Sequence, residues 1–120
     1  MAIPNPLFDS IRKAVCAWVN DIEKKYSAEL NIERIKDKPD IYLAYIFLKN
    51  CAAQVIVTDP EWAPYRYVGF EAYSGLGEEE AQLVFSWYDS DEDDVESIIQ
   101  QLQAGIEYVI SYDIRWEAHP

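Results

Sequence analysis

From Leu7 to Tyr26 the apolar residues return every three or four positions. Leu7, Phe8, Ile11, Val15, Trp18, Val19, Ile22 and Tyr26 make one stripe, the spacing of a helix that buries a single face. Asn5 can cap that helix, and Pro6 suits its first position, where a missing N–H costs nothing. Trp18 lies inside the stripe and therefore reads as core. Beyond residue 40 the period changes. The segments DIYLAYIFL, CAAQVIVT, YRYVGFEAYS and AQLVFSWYD are short, rich in β-branched and aromatic residues, and divided by KN, DPEWAP and GLGEEE. They predict four consecutive antiparallel strands. NIERIK would add a fifth at the edge, weakened by Lys36, Lys38 and Pro39. IYLAYIFL alone, apolar throughout, also fits a buried helix. Helical spacing resumes with Val95, Ile98, Ile99, Leu102, Ile106, Val109 and Ile110, predicting a helix from about residue 91 to 112 that Gly105 weakens without ending.

The order helix, meander of four to five strands, helix is an α+β domain. Its 120 residues suit one domain, 1–120, around one core. An antiparallel sheet usually has one face covered and one face wet, and two amphipathic helices would supply the cover.

Alternation then sorts the strand residues. In YRYVGFEAY, Val68, Phe70 and Ala72 point to the core, and Tyr65, Tyr67, Glu71 and Tyr73 point away. In the next strand Leu83, Phe85 and Trp87 separate from Gln82, Ser86 and Tyr88, and the preceding strand offers Gln54 and Thr58 to the same polar side. The result is a face of tyrosines among acids and amides. Tyrosine combines contact area, few torsions and a hydrogen-bonding hydroxyl, which suits binding surfaces, although it also tolerates half-buried strand positions for structural reasons alone.

Charge sharpens this reading. The net charge is −12, and residues 51–120 carry only Arg66 and Arg115 against fifteen acids. Such a field repels nucleic-acid phosphate and anionic lipid and attracts basic partners. Acids cluster beside the predicted face: Asp59 and Glu61 flank Trp62 in one loop, Glu78, Glu79 and Glu80 fill another, and Asp89 to Asp94 hold five acids in six residues. Trp62 is equally placed to cover the core. In the acid run, Ser90 with Asp93 has the spacing of a capping box. Asp89, Asp91 and Asp93 repeat the opening of a calcium loop, but Asp94 and Gln100 stand where that loop needs Gly and Glu.

No catalytic motif is present. The sole histidine, His119, is the penultimate residue, a poor place for a general base. Cys16 and Cys51 lie 35 positions apart without metal-ligand spacing and read as reduced thiols. The longest apolar run, Ile41 to Leu48, has eight residues, where a membrane span needs about 20. The expectation is a cytoplasmic, non-enzymatic protein without metal or cofactor, whose partner is a basic protein and neither nucleic acid nor membrane.

A small acidic α+β chain with DPEW, GLGEEE and DSDEDD around an aromatic face resembles, in general character, the immunity proteins of bacterial toxin systems, including contact-dependent growth inhibition and other polymorphic toxins. The resemblance implies a stoichiometric inhibitor of a cognate toxin, often a nuclease, whose basic cleft is covered by carboxylates. Immunity families share no universal motif, so no functional residue carries over. Partner-binding residues are expected to be Asp59, Glu61, Trp62, Tyr65, Tyr67, Glu71, Tyr73, Glu78, Glu79, Glu80, Tyr88, Asp89 and Asp91. A nucleic-acid mimic directed at a DNA-binding protein, and a non-catalytic adaptor subunit, are the alternatives.

Overall fold

The period-two segments pair in the order in which they occur. A computed structural model describes residues 6–75 and 81–117. It contains α1 (Pro6–Lys25), β1 (Asn31–Lys38), β2 (Ile41–Phe47), β3 (Cys51–Thr58), β4 (Val68–Ser74), β5 (Gln82–Tyr88) and α2 (Val95–Glu117). The five strands form one antiparallel sheet in the order β1-β2-β3-β4-β5, giving the α+β architecture that the sequence predicts. Ile41–Phe47 is a strand: its residues alternate between buried and half-buried up to Ile46 and end in exposed Phe47, a distinction that an all-apolar run does not reveal.

Both helices pack on one side of the sheet, α1 over β2 and β3 and α2 over β4 and β5. Phe8, Ile11, Val15, Val19 and Ile22 of α1 meet Tyr42, Ala44, Ile46, Val55 and Val57 in one core, continued by Phe70, Ile98, Leu102 and Ile106. Trp18 belongs to this core, and its Nε1–H donates to Gln103 Oε1 at 2.9 Å. Each large apolar side chain buried here contributes about 1.5–3 kcal/mol, so α1 is held mainly by its stripe.

The edge strand β1 is attached differently. Apart from half-buried Ile32 its residues are exposed. The Arg34 guanidinium straddles both Glu23 oxygens at 3.1 Å and donates to Asn20 at 2.6 Å, while Arg12 reaches Asp37 at 3.1 Å. Strand pairing therefore continues through Lys36 and Lys38 to a two-residue turn at Pro39 and Asp40, because solvated lysines do not interrupt a backbone ladder.

Gly105 shows why α2 tolerates a poor helix former. A Cβ there would lie 2.8 Å from Phe85 Cε2 and 3.1 Å from Phe70 Cε2, and those two rings already pack edge to face at 5.8 Å. Alanine gains about 1 kcal/mol in helix propensity, but overpacking a core costs about 1–3 kcal/mol. Gly105→Ala is expected to lower stability by about 1 kcal/mol in urea denaturation, against the propensity scale.

The two thiols are free. Burial and the neighbouring Asp113 carboxylate push the Cys51 thiol from 9.0 to about 12. Asp113 is held in place by accepting the Asn50 N–H at 2.6 Å. A thiol kept protonated when folded but ionising near its ordinary value when unfolded favours the folded state below that value, and the advantage is lost as pH rises through the folded value. Cys51 is therefore expected to resist a thiol reagent at pH 8 in the native protein, with labelling that tracks unfolding in denaturant.

Candidate protein-binding face

Since both helices lie on one side, the other face of the sheet is uncovered among the described residues. The cross-strand pairs assign its occupants. Tyr45 sits opposite Gln54, which sits opposite Glu71, which sits opposite Ser86; Phe47, Ala52, Tyr73 and Leu83 form the adjacent row. Leu43, Ile56, Gly69 and Tyr88 form a third row. Tyr45, Phe47, Ala52, Gln54 and Tyr73 line a shallow depression of about 250 Å³, with the Tyr45 and Phe47 rings edge to face at 6.2 Å.

The other half of the face is pre-arranged by Tyr65. Its ring lies over Gly69, where a Cβ would come within 2.8 Å of Tyr65 Cδ1, and stacks on Tyr88 at 6.3 Å with planes 28° apart. The Tyr88 hydroxyl donates to Glu71 Oε2 at 2.5 Å. That bond, with some burial, pushes the Tyr88 hydroxyl above its ordinary value, while burial followed by the Glu71 charge raises Tyr65. Glu71 therefore acts as an acceptor within the face, fixing the ring beside it.

The expected tyrosine face is thus present for Tyr65, Glu71, Tyr73 and Tyr88, but Tyr67 is a correction. Asp89 Oδ1 accepts both the Tyr67 and Val68 N–H groups at 2.8 Å, which breaks strict alternation at the start of β4. The Tyr67 ring packs on Phe8 of α1 at 5.3 Å with Arg66 over it at 4.8 Å. A second correction lies in β5. The register shifts opposite Ala72 and Tyr73, so Leu83 faces the open side, 55% exposed, and Gln82 takes the other. Sequence reading also missed Leu43, Tyr45, Phe47 and Ile56, because strands apolar on both faces carry no alternation to read.

The acid run divides by role. Asp89 is buried, and besides the two N–H groups it accepts Arg66 Nε–H at 3.2 Å; an enclosed carboxylate with three donors is committed to the fold and not to a partner. The helix cap is Asp94, four residues later than expected from Ser90: its Oδ1 accepts the Ser97 N–H at 2.8 Å, and α2 starts at Val95. The reciprocal bond from the Ser90 N–H to Asp93 exists at 2.9 Å but closes a turn before the helix. Hydrogen bonds from Ser97 and Ser90 hold the Asp93 carboxyl below its ordinary range. Asp91 and Glu92 remain exposed.

Asp59 and Glu61 are also exposed, in the loop between β3 and β4 with Trp62, which is 90% exposed and so does not cover the core. The Arg66 N–H donates to the Asp89 carbonyl at 3.1 Å, tying this loop to the segment that carries Asp91 and Glu92. One end of the sheet thereby gathers four free carboxylates and an exposed indole. Glu78, Glu79 and Glu80 lie outside the described residues.

Among the described residues no three His, Cys, Asp or Glu side chains gather to hold a metal ion, and no helix is long and apolar enough to cross a membrane. The chain matches no family model, no curated protein and no solved structure.

Proposed function

We propose that this chain is a non-catalytic binding protein of the immunity kind, acting in the cytoplasm and neutralising a basic toxin domain, in the first instance a nuclease, by one-to-one occlusion. The open sheet face carries the reading. Tyr45, Phe47, Tyr65, Tyr73, Leu83 and Tyr88 share one uncovered surface, and contiguous exposed apolar area of this kind marks interaction sites in soluble proteins. Aromatic anchors would supply affinity there. Asp59, Glu61, Asp91 and Glu92 would steer a cationic partner towards the Trp62 end of the face.

This reading is favoured over nucleic-acid mimicry by the fate of the carboxylates. Mimicry needs rows of free acids, whereas Glu71, Asp89, Asp93 and Asp94 are engaged within the chain. The test is affinity capture from lysate of the source organism with the tagged chain as bait, washed at low and then high salt. The expected result is one basic protein that survives high salt, is missing when Trp62→Ala and Tyr73→Ala are combined, and loses its activity at equimolar bait. Many basic proteins eluting together as salt rises would reduce the acids to a generic polyanion and overturn the reading.

A further inference from the structure

The two edges of the sheet are built to opposite specifications. Edge strands expose unpaired N–H and C=O groups, and proteins usually protect them with charge, proline or a bulge. β1 follows that rule: Glu33, Arg34, Lys36, Asp37 and Lys38 are charged, and a bulge falls between Arg34 and Lys36. β5 reads QLVFSWY, with no charged residue and no proline, and Val84, Phe85, Trp87 and Tyr88 are of the types that most favour strand pairing. Among the described residues no strand pairs with its outer edge.

The ladder fixes which groups that edge presents. The Asp89 N–H donates inward to the Val68 carbonyl at 3.1 Å. By the alternation of an antiparallel pair, Trp87 and Phe85 also bond towards β4, while Ser86 and Tyr88 turn their N–H and C=O groups outward. Apolar side chains flank the edge on both sides: Leu83 is 55% exposed on the open face, and Tyr108 of α2 is 45% exposed on the helix side, 5.7 Å from Phe85.

We infer that β5 is a docking edge for an extended segment of another protein, which adds a sixth strand antiparallel to it. Asp91 and Glu92, exposed just past the end of β5, face the N-terminal end of such a strand, so the segment carries Lys or Arg there and apolar or β-branched residues along its length. A second copy of this chain is a poorer occupant, since each copy carries −12 and like charge opposes association. The inference rests on the binding reading only in making the occupant a protein.

The test uses the isotope-labelled full chain and a short synthetic peptide of alternating threonine and valine opened by two lysines, with amide exchange as the readout. At saturation the Ser86 and Tyr88 amides are expected to slow at least about tenfold. The protection should vanish at both amides with a peptide N-methylated on the edge that faces β5, which needs no protein variant, and at Tyr88 with Ser86→Pro, which removes an outward donor. Replacing the lysines by glutamate should weaken binding at least about tenfold. No protection at Ser86 and Tyr88 at millimolar peptide, or equal protection by the N-methylated peptide, would overturn the inference. So would a peptide-independent dimer in sedimentation with those amides protected, which would assign the edge to a second copy. A captured partner that needs Trp62 and Tyr73 yet leaves Ser86 and Tyr88 exchanging freely would overturn the edge alone and leave the binding face standing.

Discussion

Asp89→Ala is expected to lower stability by about 3–5 kcal/mol in urea denaturation, a large share of what a domain of this size possesses. The carboxylate is enclosed, and it accepts the Tyr67 and Val68 N–H groups at 2.8 Å and Arg66 Nε–H at 3.2 Å. Alanine leaves two backbone donors without an acceptor at the head of β4 and strands the Arg66 guanidinium, whose other bond, to the Asp93 carbonyl at 3.0 Å, cannot neutralise it. Removing one partner of a buried pair costs far more than the pair contributes against apolar replacements. Asp89→Asn separates the two effects. Its amide oxygen can still accept the backbone donors, so about 1–2 kcal/mol should be lost. Equal losses for the two variants would mean that the charge on Arg66, and not the backbone donors, sets the cost.

The same residue shows where sequence reasoning stops. Asp89 belongs to a run of five acids and looks like its neighbours; only the return of the chain at Arg66 makes it a clamp while Asp91 stays free. Local patterns that depend on one element were legible. The α1 stripe gave its buried face, and Val68, Phe70 and Ala72 fell to the core as alternation required. Patterns that depend on two elements were not. The bulge that turns Leu83 outward is a relation between β4 and β5, and Tyr67 leaves the open face because Asp89 captures its N–H and Phe8 receives its ring. The start of α2 was misplaced because Ser90–Asp93 and Asp94–Ser97 both have capping spacing, and the competition is settled by where the apolar stripe begins at Val95. Tyr45 and Phe47 escaped notice because β2 is apolar on both faces.

Because charge acts on a partner before contact and an aromatic anchor acts only once it is buried in contact, the free acids and the aromatic residues should affect binding differently. For a partner captured by this chain, Trp62→Ala is expected to raise the dissociation rate about 30-fold, the scale of a buried aromatic anchor worth about 2 kcal/mol, with little change in association. Its stability should stay within about 0.5 kcal/mol of the parent, since an indole 90% exposed gives little to the fold. Tyr73→Ala should act likewise on dissociation, with a small stability cost from its half-exposed place beside Ala52 and Leu83. Replacing Asp59, Glu61, Asp91 and Glu92 together by their amides should instead slow association about tenfold at low salt and leave dissociation nearly unchanged, because rim charges act on encounter and are screened beyond about 10 Å at 0.1 M salt. Stopped-flow traces across a salt series separate the classes. If the amide variant changes dissociation as much as Trp62→Ala does, the carboxylates are buried contacts in the complex, and the division between steering rim and aromatic anchor must be abandoned.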